Sequence, residues 1–200
     1  MVSNRLRFVL CLAALGVGNS NAFGQLPGGG GAGTRPIRLV VSGGLTLPAG
    51  DLKDTHDAGF HYDASLLLNI AGIPLTLRPE VSLTRFNLKD VSSHTTSGYG
   101  GSGDVTQMLG ALGNIELPLA GGLYAIAGGG VLSLKTPSAG TGSPDLSQSK
   151  VTFNAGAGLR FRLGGVSGFA EARMGTASYD AGKFAFTKAT FIPISFGLVF

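Results

Sequence analysis

Charge is scarce in this chain: Asp, Glu, Lys and Arg make up only 13% of its 200 residues, well under the quarter usual in soluble domains. Tryptophan is absent, and the single cysteine is Cys11. No basic run and no basic patch interleaved with aromatics occurs, which excludes nucleic acid as a partner. Phe8–Val17 is too short an apolar run to cross a bilayer as a helix. What the chain does have is glycine, at 34 positions, and apolar residues, at 44%. The length suits one domain behind a processed leader.

The leader is read over residues 1–22. Arg5 and Arg7 form a positive start, Phe8–Val17 is the short apolar core, and Ser20-Asn21-Ala22 offers small residues before a cleavage site. Ala22-Phe23-Gly24 is a second site two residues on. Cys11 falls inside this segment, and Leu10 before it does not fit a lipoprotein signal. The exported chain then has no thiol for disulfide or metal chemistry, and the formal charge of +4 drops to +2 with the loss of Arg5 and Arg7. Residues 23–34 are Gly-rich and read as a flexible lead-in. No Lys and Ser/Thr follow these glycines, so they are no phosphate loop.

From residue 35 onward the chain alternates with a period of two, the mark of strands with unlike faces. The closing stretch shows it best. Phe200, Leu198, Phe196, Ile194 and Ile192 fall on one face, and Val199, Gly197, Ser195 and Pro193 on the other. Seven more segments precede it, at 35–47, 59–70, 75–88, 104–117, 123–135, 151–163 and 168–178. The apolar faces are Ile37, Leu39, Val41, Leu45 and Leu47 in the first, and Phe60, Tyr62, Ala64, Leu66 and Leu68 in the second. The sixth carries Val151, Phe153, Ala155, Ala157, Leu159 and Phe161. In the fifth, Tyr124, Ile126, Leu132 and Leu134 are taken as the apolar face against Ala125, Ala127 and Ser133. Around Gln107 and Met108 the pattern assigns no face. Connections alternate between longer polar ones (48–57, 89–103, 136–150, 179–188) and tight ones (71–74, 118–122, 164–167).

These alternating strands, their uneven loops and the terminal Phe200 resemble small bacterial outer-membrane β-barrels of the outer-membrane protein A and X type, the "outer membrane protein beta-barrel domain" group. The resemblance covers residues 35–200. It implies an all-β, eight-stranded antiparallel up-and-down barrel crossing the outer membrane, with both termini on the periplasmic side. It also implies that Phe196, Leu198 and Phe200 form the signal read by the barrel-assembly machinery. Outer-membrane lipid is the surrounding partner. A strand of 11–14 residues is ample, because a tilted strand crosses with about 9–11. Closure of the last strand on the first removes the open edge that lipid forbids.

The minority faces hold Arg38, Asp63, Arg78, Glu80, Glu116, Arg160, Arg162, Glu171 and Arg173. Facing lipid at mid-depth, each Arg would cost roughly 2–4 kcal/mol. Inside an eight-stranded bore, which side chains just fill, they can pair. A structural, lumen-filling polar network is therefore expected, with an open selective pore as the alternative.

No catalytic, metal or cofactor site emerges. Some barrels of this size modify lipids, and the lipid A deacylase family carries a His followed two positions later by Ser. His56, His61 and His94 are each followed there by another residue. His56 and His94 are placed in loops, and His61 and Asp63 are read as a hydrogen-bonded pair on the lumen face. No zinc spacing occurs. Gly128-Gly129-Gly130 marks close backbone packing. The function expected is a non-catalytic, structural or surface-interaction barrel, with any surface ligand falling to loops 89–103 and 136–150, where Tyr99 is the sole aromatic. Besides a porin-like pore, the alternative is a soluble periplasmic or secreted barrel binding an apolar ligand, which would turn the apolar faces inward.

Overall fold

In the computed structural model the described residues are 37–70, 72–89, 104–136, 145–164, 166–179 and 187–200. The leader, the Gly-rich stretch, His94, Tyr99 and most of the three longest loops lie outside them. All described residues belong to one compact unit, Arg35–Phe200.

Eight strands follow in chain order: β1 (Ile37–Ala49), β2 (Gly59–Asn69), β3 (Thr76–Asn87), β4 (Val105–Pro118), β5 (Leu123–Thr136), β6 (Leu146–Leu163), β7 (Val166–Ser178) and β8 (Lys188–Val199). Each pairs antiparallel with its neighbours, and β8 closes on β1 in a single barrel. Closure gives every strand two partners, so no edge is left with unpaired backbone groups. One rim carries the tight turns and the described ends of the chain; the other carries the longer connections. These are called here the turn side and the loop side. Among the described residues no helix is long and apolar enough to cross a membrane.

The two-residue period sorts side chains between an outer and an inner face. Along β2, Phe60, Tyr62 and Leu66 are exposed, whereas His61, Asp63, Ser65 and Leu67 are buried. Phe153 and Phe196 are more than 60% exposed, and Leu109, Val131 and Met174 stand out in the same way. Contact with water would cost roughly 25 cal/mol for each Å² of such surface; contact with hydrocarbon removes that cost.

Three expectations require correction. In β5 the assigned face is reversed: Tyr124, Ile126, Leu132 and Leu134 are buried in the lumen, and Leu123 and Val131 point out. Both faces of β5 are apolar, so hydropathy alone cannot orient it; between Leu123 and Val131 the outer face carries only small residues, Ala125, Ala127 and Gly129. The sixth strand starts at Leu146, not near 151, and pairs back to Thr136. After Leu146 the residues Ser147 to Lys150 are polar, because a strand projecting past the hydrocarbon needs no apolar outer face. The connection 48–57 is not wholly irregular: it contains the short helix α1 (Leu52–Thr55), whose Leu52 is fully buried. The structure also settles the start of β4, with Met108 inside and Gln107 outside.

Prolines interrupt the ladder where they lack a donor. Between β2 and β3 the paired positions pass from Ser65↔Glu80 to Leu68↔Leu77, skipping Pro79. Between β7 and β8 they pass from Ala172↔Ile194 to Gly175↔Phe191, skipping Pro193. One glycine has a clear steric reason: a Cβ on Gly158 would enter the ring of Tyr124. Gly128 and Gly130 leave equally little room against the β4 backbone, in keeping with the close packing read from the glycine run.

Candidate functional site

Among the described residues buried polar chemistry concentrates in the lumen, which is built in three layers. Toward the turn side, inward positions of β3, β4, β6 and β7 bring together the charges seen on the minority faces. Arg78 is at the centre. Its Nη1 donates to Glu171 Oε2 at 2.8 Å and to Glu116 Oε1 at 3.1 Å, Nη2 lies 3.2 Å from Glu80 Oε2, and Nε donates to Ser65 Oγ at 3.0 Å. Arg173 pairs with Glu80 at 2.8 Å and with Glu171 at 2.9 Å. Arg160 pairs with the second oxygen of Glu116. Tyr124 Oη donates to Glu171 Oε2 at 2.7 Å, and its ring carries the Arg160 guanidinium 4.8 Å above its centre. Phe169 does the same for Arg78 at 5.3 Å.

Arg78 is 1% exposed, as is Glu116. Charges buried this deeply are tolerated only when paired, and here three arginines interlock with three glutamates. Three of the nine expected residues stand apart, Asp63 in the layer above and two arginines. Arg162 is exposed at the turn-side end of β6, and Arg38 is half-buried with no ion pair among the described residues.

The middle layer is denser in hydroxyls, which surround Asp63 and His61. Asp63 accepts from Ser42 Oγ at 3.2 Å and lies 3.5 Å from His61 Nε2. The same Nε2 is 2.8 Å from Ser195 Oγ, and His61 Nδ1 is 2.8 Å from Thr46 Oγ1. A serine at hydrogen-bond distance from a histidine invites comparison with a hydrolase triad. There the carboxylate orients the imidazole from the nitrogen opposite the serine; here Asp63 and Ser195 share one edge and Thr46 occupies the other. His61 and Ser195 are each 1% exposed. The adjoining cavity, lined by Asp63, Glu80, Arg173 and Pro193 among others, has a volume of about 30 Å³, room for a water or two and no organic substrate.

The loop-side layer is apolar. Leu52, Phe86, Met108, Leu132, Leu134, Ala177, Tyr179 and Ala189 form a buried cluster, with Leu146 and Phe191 packed against it. Helix α1 supplies Leu52 as its lid. His56 follows directly and is fully buried, edge-on to Phe86 at 5.9 Å between ring centres. Its Nδ1 is 2.8 Å from Thr55 Oγ1 and its Nε2 is 2.9 Å from Thr106 Oγ1. His56 lies in the connection between β1 and β2, where the sequence places it, and its ring is part of the lumen packing.

Reading charge on the minority faces located the turn-side layer, but it missed the cluster that closes the loop side. Tyr124 points inward from a strand whose two faces are both apolar, and Leu52 stands alone among polar neighbours in its connection. The signal for both was available only through pairing, since an inward position is defined by the register with neighbouring strands. Among the described residues no group of His, Cys, Asp and Glu could hold a metal ion.

No family model and no curated protein matches the chain. Among solved structures the barrel is similar to Neisserial surface protein A, with a TM-score of 0.52 at 14% identity, over 82% of this chain and 96% of that one. The N-terminal β-barrel domain of Pseudomonas aeruginosa OprF aligns with a TM-score of 0.46 at 13% identity, over 83% and 98% of the two chains. Ail, the attachment invasion locus protein of Yersinia pestis, solved with the heparin analogue sucrose octasulfate, gives 0.44 at 16% identity over 82% and 96%. At this identity the likeness is one of fold: a closed, eight-stranded, antiparallel up-and-down barrel of the kind found in outer membranes.

Proposed function

We propose that this protein is an outer-membrane barrel with a structural or surface-interaction role, non-catalytic and with a lumen that does not conduct. The observation that carries the reading is the burial of Arg78 among Glu80, Glu116 and Glu171 across the bore. Side chains fill an eight-stranded bore, and this one is blocked a second time by the apolar cluster under Leu52. Planar-bilayer recording with purified protein tests it. The expected result is silence; large, stable, ion-selective openings would favour the porin-like alternative.

The membrane setting rests on the outer surface. Charges face in and large apolar residues face out, the inverse of a soluble barrel that holds an apolar ligand. In this setting the turn side faces the periplasm, where both termini lie, and the loop side faces outward. The mature chain would reach the barrel-assembly machinery through an amino-terminal leader, with Phe196, Leu198 and Phe200 as the recognised face. Fractionation checks the location: the protein should need detergent for extraction, and recovery in a soluble periplasmic fraction would refute it. A surface partner, where there is one, would meet the longer connections.

A further inference from the structure

Charge on the outer face of the barrel is rare and one-sided. Among the described strand residues that alternate outward, only Arg85, Lys135 and Lys188 are charged. All three are cations, all are exposed, and all lie within two residues of the loop-side end of their strands. At the turn side the outward positions stay apolar to the rim, with Leu39, Leu77, Leu117, Leu123, Leu163 and Leu198 exposed. A strand end that merely ran into water would carry charges of either sign. These carry one sign, at one end.

Two of the three belong to one cross-strand row. The ladder places Arg85 beside Gln107, and Gln107 beside Lys135. Strands lie about 4.8 Å apart, so the two cations leave the backbone roughly 10 Å apart across a neutral donor. Phe60 flanks Arg85 in the same row, and the next outward row toward mid-barrel holds Tyr62, Leu83 and Leu109. The row therefore marks the line where the apolar belt ends. Lys135 Nζ is 3.0 Å from Asp145, with both side chains well exposed, and an exposed pair of that kind holds its members weakly.

At the edge of its hydrocarbon a membrane presents phosphates. We propose that Arg85, Gln107 and Lys135 seat the phosphate of an anionic lipid headgroup in the loop-side leaflet, its chains lying down the belt over Leu83 and Leu109. The guanidinium of Arg85 suits a phosphate bidentately, and the Lys135 ammonium adds a point charge. The Gln107 amide supplies a neutral donor between them. The proposal rests on the membrane setting given above and adds a sidedness to it, since the turn-side rim offers no outward cation among the described strand residues.

The test places the full barrel in nanodiscs of zwitterionic phosphatidylcholine and replaces increasing shares of that lipid with phosphatidylglycerol, in phosphate-free buffer at constant ionic strength. Nitrogen–proton correlation spectra follow the Arg85 Nε–H and the Gln107 side-chain amide. The Nε–H of Arg162, an exposed cation at the turn-side rim, serves as the control. The Arg85 and Gln107 signals should shift together and saturate at a common midpoint, while Arg162 shows no saturable shift. A basic residue near charged headgroups contributes roughly fivefold in affinity. Arg85→Gln and Lys135→Gln should each raise the Gln107 midpoint by about that factor, and Arg162→Gln should leave it in place. Both substituted side chains are exposed, so the barrel folds without them. The lipid seat is overturned if the barrel inserts and neither signal shifts, if Arg162 titrates with the same midpoint, or if both variants keep the wild-type midpoint. A barrel that never enters the nanodiscs overturns the membrane setting as well.

Discussion

Tyr124 Oη, on β5, donates at 2.7 Å to Glu171 Oε2 on β7, one strand beyond its neighbour β6, and that oxygen is the one Arg78 also engages. A phenol thus completes the shell of a buried carboxylate that two arginines hold. Tyr124→Phe removes the hydroxyl and leaves the ring under Arg160. The barrel should lose about 2 kcal/mol, the net value of a hydrogen bond to a charged group. Urea titration of the barrel refolded in detergent measures this, and a shift below a few tenths of a kcal/mol would mean that water replaces the phenol.

Arg78→Met should be far more damaging. The substitution keeps the volume and deletes the cation that Glu80, Glu116 and Glu171 share. Removing one partner of a buried ion-pair network typically costs about 3–5 kcal/mol, because the remaining charges stay desolvated. The same urea titration reads it out. A variant as stable as wild type would show that Arg160 and Arg173 rebalance the three carboxylates unaided.

How far the sequence discloses this molecule depends on contrast between faces. β2 and β6 alternate unlike residues, so their orientation is legible from Phe60/His61 or Phe153/Asn154 alone. β5 alternates large apolar with small apolar, and the larger set proves to be the inner one because the loop-side lumen is itself apolar. The general picture of a polar bore is what misleads there. The charged layer is legible because an arginine has no acceptable place in hydrocarbon. Its pairing is not legible, since Arg78 meets Glu171 across 93 positions of sequence. The same holds for α1: nothing local in Leu52-Lys53-Asp54-Thr55 marks Leu52 as the lid of a cluster drawn from five strands.

His56 makes stability at the loop-side mouth depend on pH. It lies between α1 and β2, beyond the membrane-spanning strands. Burial among Phe86, Thr55 and Thr106 holds its imidazole down at about 4, with Lys89 adding to the effect and the Leu52 carbonyl and Asp57 opposing it. In the unfolded chain the ring takes up its proton near 6.5. Between these values the unfolded state binds more protons, so stability falls as pH drops from 6.5 toward 4 and is unaffected by His56 above that window. The full loss is about 3 kcal/mol. His56→Gln should flatten this part of the profile relative to wild type; parallel profiles for the two proteins would refute the assignment.

Phe200 closes the seam of the barrel. Its N–H donates to the Leu39 carbonyl at 2.8 Å, and its own carbonyl accepts from the Leu39 N–H at 3.2 Å. The ring points outward and is 52% exposed, so it packs little against the rest of the protein. Phe200→Ala keeps both backbone bonds and removes only a ring that faces lipid. If the barrel's own cohesion were all that mattered, the variant would differ from wild type by less than about 1 kcal/mol, the range of surface substitutions. Refolding into detergent should show that small difference. In a Gram-negative host, by contrast, the amount of protein in the outer membrane should fall several-fold, because the outward ring belongs to the face offered to the assembly machinery with Phe196 and Leu198. Equal outer-membrane levels for wild type and variant would remove the assembly role and leave Phe200 as an ordinary lipid-facing residue.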